Sequence, residues 1–119
     1  MLFRSIETDL YDTLKSDAGV SALIGAKIWP HIADEGTAAP FLTYQMVVGT
    51  PYNIISRTTA LEKKRIQINC WSDSYAGAQT LAEAVKTALN SDGHLALEIE
   101  NYVDEAQLYR RIIDWMFIA

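Results

Sequence analysis

The chain has little cysteine, little proline and no excess of positive charge, and each shortage excludes something. Cys70 is the single cysteine in 119 residues. No disulfide can therefore form within the chain, and a lone thiol in an apolar segment reads as a small core residue of a reducing compartment. Three prolines and six glycines do not make a low-complexity or linker-rich chain. Ten lysines and arginines stand against fifteen aspartates and glutamates, a net charge of −5. That balance argues against nucleic-acid binding as the main task, because phosphate contacts need a basic face. No apolar run approaches the about 20 residues of a membrane helix. The opening MLFRSIETDL lacks the cationic-then-apolar order of a signal peptide, so none is expected. There is no internal repeat and no long charge block.

What is present is apolar content and pattern. Half of the residues are hydrophobic, which excludes disorder, and the length suits a single domain, residues 1–119, with one core. Residues 64–89, KRIQINCWSDSYAGAQTLAEAVKTAL, are the clearest block. Ile66, Ile68 and Cys70 alternate with Arg65, Gln67 and Asn69, which predicts a strand. After a polar turn, Tyr75, Ala78, Leu81, Ala82, Val85 and Leu89 share one arc of a helix. Ser72 or Asp73 is the expected N-cap. Gly77 costs about 1 kcal/mol of helix propensity, and close helix–sheet packing is the expected reason for it.

Around this block, Phe3, Ile6, Leu10 and Leu14 form a narrow stripe that predicts a helix over residues 2–16. A short helical turn over 20–24 ends at Gly25. Strands are expected at 27–29, at 41–49, at 95–103 with Leu95, Leu97 and Ile99 on one face, and at 108–118. The last strand is apolar on both sides, with Ile112, Met116 and Ile118 opposite Ile113, Trp115 and Phe117. Such a strand is either central or covered by a second molecule. Residues 50–62 read as a long connection between antiparallel strands. The expected class is α+β: a mostly antiparallel sheet with helices packed on one face. Few helices for two sheet faces point to an oligomer.

No constellation of catalytic residues is visible. His31 and His94 have no cysteine, histidine or carboxylate at metal-ligand spacing and read as exposed loop histidines. Cys70 lacks a neighbouring base. Glu98 and Glu100 are spaced for acid–base work, but alternate carboxylates on a half-exposed strand read more simply as its solvated face. Lys63-Lys64-Arg65 reads as a solvated strand start, or as a contact to a subunit or to passing DNA. Arg110 and Arg111 suit acidic residues in cis or on a neighbour. Asp114, on an apolar strand face, needs a partner if buried, and an arginine is the obvious one. No catalytic, cofactor-binding or metal-binding residue is assigned, and an enzyme is not expected.

Taken in order, LYDTLKSDAGVSALI, GAKIWP, APFLTYQ, RIQINCWSDSYAGAQTLAEAV and the closing RRIIDWMFI resemble the tail-completion proteins of long-tailed bacteriophages. These are also called tail terminators or tail-to-head joining proteins. The resemblance covers nearly the whole chain and implies a structural virion protein without catalytic activity or cofactor. It implies a homo-oligomeric ring, commonly hexameric, that caps the tail tube and stops its polymerisation. Its implied partners are the major tail tube protein and the head-completion or stopper protein, with DNA passing through the lumen unbound. It implies residence at the head–tail junction, and in the host cytoplasm during assembly, without membrane contact. Six copies at −5 each carry −30, and acidic walls let DNA slide. The expected contact residues are Tyr52, Ile54, Ile55, Arg57, Lys63, Lys64, Arg110 and Arg111. A head-side stopper or adaptor is the alternative, and an unrelated small binding module the more distant one.

Overall fold

The computed structural model describes residues 6–25, 27–34, 36–47, 63–90 and 93–118. Along them run α1 (Ile6–Ser16), α2 (Ala18–Ile24), β1 (Ile28–Pro30), β2 (Phe41–Val47), β3 (Lys63–Ser72), α3 (Tyr75–Ala88), β4 (Gly93–Val103) and β5 (Leu108–Ile118). The strands form one sheet in the order β1-β2-β3-β5-β4. β1 lies parallel to β2, and the other three pairs are antiparallel. The class is α+β, as expected. The doubly apolar β5 is an inner strand between β3 and β4; Ile113 and Trp115 are buried in the core under the helices, and Ile112 and Met116 lie half-buried on the opposite face.

The helices all pack on one face of the sheet. Leu10 and Leu14 of α1, Val20 and Ile24 of α2, and Leu81, Ala82 and Val85 of α3, with Leu89 just beyond it, meet Leu42, Tyr44, Ile66, Ile68, Cys70, Ile113 and Trp115 in one core. The register explains the set: Tyr44 pairs with Ile68, which pairs with Ile113, and Ile66 pairs with Trp115. Each of these large side chains contributes about 1.5–3 kcal/mol by leaving water. Asp17 caps α2 by accepting from the Val20 N–H at 3.0 Å. Gly25, at φ 66°, ends it in the left-handed region that suits glycine.

Three details depart from the sequence reading. The N-cap of α3 is Ser74, not Ser72 or Asp73; its hydroxyl accepts from the Gly77 N–H at 3.0 Å, while Ser72 Oγ accepts from the Ser74 N–H at 3.3 Å. Gly77 is small because of this turn rather than because of the sheet. A Cβ there would sit 2.3 Å from Ser72 Oγ and 2.8 Å from Ser74 Oγ. Tyr75 is 51% exposed and lies outside the core, with its ring edge-on to Tyr109 at 6.2 Å.

The fourth departure changes a whole strand. β4 carries a bulge between Leu95 and Leu97, so that Leu95 pairs with Trp115 but Leu97 pairs with Asp114. One inserted residue reverses which face the following side chains take. Leu95 therefore faces the helix side, and Leu97 and Ile99 face the other. Glu98 and Glu100, opposite Ile113 and Arg111, face the helices rather than forming a solvated face.

Candidate functional site

The two faces of the sheet differ in chemistry. On the helix side, beyond the core, a charged cluster joins α3, β4 and β5. Lys86 Nζ donates to Glu98 Oε1 at 2.9 Å and lies 3.0 Å from Glu83 Oε2. Arg111 donates through Nε to Glu98 Oε2 at 2.7 Å and through Nη1 to Glu100 Oε1 at 2.7 Å. Burial alone would raise the Glu98 pKa, but the hydrogen bonds from Arg111 and Lys86 outweigh it and hold the carboxyl below its ordinary value. Burial likewise opposes the charge on Lys86, and its bonds to Glu98 and Glu83 outweigh that and raise it. The hydrogen bond to Glu98 raises Arg111. These groups stay ionised and satisfied near neutrality. They form a clamp, since the Glu98 carboxyl, held below its ordinary value, is not poised to take or give a proton at that pH.

Cys70 lies beside this clamp at 0% exposure. Burial, reinforced by the charge of Glu98, pushes its thiol far up, which removes the thiolate a nucleophile needs. His31, at φ 63° between β1 and β2, is exposed. His94 is also exposed, but it lies within β4 and not in a loop as expected. Among the described residues, no group of three or more His, Cys, Asp or Glu side chains is placed to hold a metal ion.

The face without helices is built of three zones. At one end Phe41 stacks on Trp71 at 5.9 Å, Trp29 meets Phe41 edge-on at 6.2 Å, and the Arg110 guanidinium lies 5.3 Å from the Trp71 ring centre. In the middle Thr43 Oγ1 accepts from Trp71 Nε1 at 3.1 Å and from Asn69 Nδ2 at 3.2 Å, and Gln67 Nε2 donates to Asn69 Oδ1 at 3.1 Å. Toward β4 the face turns apolar, with half-buried Ile112 and Met116 beside Leu97 and Ile99 at 48% and 45% exposure. Such a patch on a sheet face is a candidate interaction surface.

Of the expected contact residues, Tyr52, Ile54, Ile55 and Arg57 lie outside the described residues. Lys63 and Lys64 open β3, in register with Ile118 and Phe117. Arg110 and Arg111, adjacent in sequence, are separated by the sheet. Arg110 joins the aromatic zone and donates to Asn101 Oδ1 at 3.3 Å, whereas Arg111 is spent in cis on Glu98 and Glu100. The partner of Asp114 is Arg65, at 2.9 Å. Sequence reasoning missed Leu97, Ile99 and the Trp29–Phe41–Trp71 group as one surface. Phe41 and Trp71, each in phase with the polar residues of its strand, were a usable signal, but the bulge in β4 was not.

No helix among the described residues is long and apolar enough to cross a membrane. No curated protein matches the sequence. In fold, the chain is similar to one from the virion of a native gene transfer agent particle. The TM-score is 0.75 over 96% of this chain and 93% of that one, at 20% identity. The family model described as tail completion protein gp17 matches residues 8–115, nearly the full length. The chain therefore belongs to the tail completion protein gp17 family, and is a structural component of a phage tail.

Proposed function

We propose that this protein caps the phage tail tube, ends its polymerisation and presents the surface to which the head-completion complex joins, acting as a ring of copies, most simply six. The observation that carries this reading is the one-sided sheet. Its helices cover one face, and the other exposes Leu97 and Ile99 next to Ile112 and an aromatic–arginine zone. Aromatics with arginine, beside apolar side chains, are enriched in protein interfaces. A ring subunit needs such a face against each neighbour, and a stable contact buries about 1,200–2,000 Å² in total. In this reading Arg110, Lys63, Lys64 and the segment bearing Tyr52, Ile54, Ile55 and Arg57 meet the neighbouring copy, the tube protein or the stopper. Arg111 stands behind them and holds β4 in place. The net charge of −5 per copy suits a lumen that DNA crosses without binding. The protein works at the head–tail junction after assembly in the host cytoplasm.

Particles assembled without this chain test the proposal by electron microscopy. Overlong tubes and unattached heads are the expected result. Tubes of normal length that merely lack heads would instead assign the chain to the head side, as a stopper or adaptor.

A further inference from the structure

Among the described residues β4 pairs with β5, and this ladder changes phase once. Gly93 to Leu95 pair with Phe117 to Trp115, Ala96 is left over, and Leu97 to Val103 pair with Asp114 to Leu108. The hairpin closes over residues 104–107, with the Gln107 N–H donating to the Val103 carbonyl oxygen at 2.8 Å. A ladder without the bulge needs no change in chain length. Ala96 pairs with Asp114, every later residue of β4 moves by one place, and the turn lengthens to residues 103–107. Hairpin turns of four and of five residues are both common.

The two registers exchange the faces of the strand. Without the bulge, Leu97 and Ile99 take the places of Glu98 and Glu100, opposite Ile113 and Arg111 on the helix side. Glu98 and Glu100 move to the open face, opposite Ile112 and Arg110. The apolar pattern favours this second register. It covers Leu97 and Ile99, which are 48% and 45% exposed in the bulged one, and it removes the unpaired residue of the bulge. Arg111 opposes it. Its guanidinium, 16% exposed, holds Glu98 and Glu100 at 2.7 Å each. After the slip it faces Ile99 with no carboxylate from β4 on its side of the sheet, and a mostly buried charge without its partner is strongly disfavoured. Lys86 loses Glu98 as well but keeps Glu83. We infer that the cluster of Lys86, Glu98, Arg111 and Glu100 is a register lock: it holds β4 in the bulged one of two registers, and Arg111 decides whether the apolar or the acidic side of β4 lies on the open face of the sheet. Charged networks serve this purpose in other folds, fixing register at the expense of stability. The inference concerns the chain alone and stands apart from the tail reading above.

Nuclear magnetic resonance of the isolated full chain tests this, because contacts between backbone hydrogens across an antiparallel ladder read its register directly. Against the native pairing of Leu97 with Asp114, Arg111→Leu should bring Leu97 opposite Ile113 and Glu100 opposite Arg110, a shift of one place. Deleting Ala96 from the Arg111→Leu chain should restore the pairing of Leu97 with Asp114, since the spare residue is then gone. A folded Arg111→Leu chain that keeps Leu97 opposite Asp114 would overturn the inference and reduce the cluster to a stabilising contact. Should Arg111→Leu not fold, Lys86→Met combined with Glu100→Gln decides the matter. A second set of β4 resonances, with Leu97 opposite Ile113, supports the lock, and a single set in the native register overturns it.

Discussion

Arg65 reaches diagonally across the β3–β5 ladder to Asp114. The register sets Asp114 opposite Gln67 and Arg65 opposite Met116, yet Arg65 Nη2 lies 2.9 Å from Asp114 Oδ2. The bond is single: Arg65 Nε and Asp114 Oδ1 are buried without a partner. The side chains are 41% and 8% exposed, so the carboxylate depends on the arginine more than the reverse.

Removing the arginine should therefore cost more than removing the acid's charge. Arg65→Met leaves a buried carboxylate unpaired and is expected to lower stability by about 2–3 kcal/mol. Asp114→Asn should cost less, and adding it to the Arg65→Met background should recover part of the loss. Urea denaturation of the three variants measures this, and equal losses for both single variants would contradict it.

Gly77→Ala improves helix propensity by about 1 kcal/mol, but the new methyl would meet the Ser72 and Ser74 hydroxyls. The overpacking is expected to win, with a net loss of about 1–2 kcal/mol. In a Ser72→Ala background the same change should cost less. Thermal melts of the four proteins give the comparison.

Acid should loosen β4 in a defined window. The Glu98 pKa is lowered in the folded state from an ordinary 4.5, so the unfolded chain takes up that proton first. The stabilisation is complete above pH 4.5 and is lost as pH falls through the lower folded value. Glu98→Gln should flatten this part of the acid limb and reduce stability at neutral pH, because Lys86 and Arg111 each lose an ionic partner. The Lys86 pKa is raised from 10.5, so its share persists below that pH and fades as pH rises beyond it. Denaturant melts across pH, with and without Glu98→Gln, resolve both limbs.

Cys70 should resist thiol reagents in the native protein and react at the unfolded rate in denaturant, since it is fully buried and its thiol is pushed up. Cys70→Ser places a hydroxyl in the core at a cost of about 1–3 kcal/mol. Rapid native labelling would mean that the β3–α3 core opens readily.

The legible parts of the fold were those written in short-range pattern. Ile66, Ile68 and Cys70 alternate, Leu81, Ala82 and Val85 recur at helical spacing, and both sets lie in the core. The unread parts depend on geometry that no local pattern records. Ser72, Asp73 and Ser74 all have capping side chains, and only the path of the turn selects Ser74. β1 has too few residues to announce a parallel partner. The bulge at Leu95/Leu97 shifts the phase of β4 without a marking residue, so an even alternation of apolar side chains was read as one face. For the same reason the interaction surface was half visible: Arg110 could be named from sequence, but Leu97 and Ile99 could not be placed beside it.

The clamp of Lys86, Glu98 and Arg111 also sets a load path. β4 meets β5 through its ladder and through side chains that touch Tyr109, Arg110 and Arg111, and it meets α3 through Glu98, whose two oxygens are held from α3 and from β5. A pull along β4 is resisted by the ladder in shear, and a pull that peels it away from the sheet is shared with α3 through Lys86. Force applied at the edge is thus carried into the core helix and is not borne by the outermost hydrogen bonds alone. A strand mounted in this way is a stiff fixture.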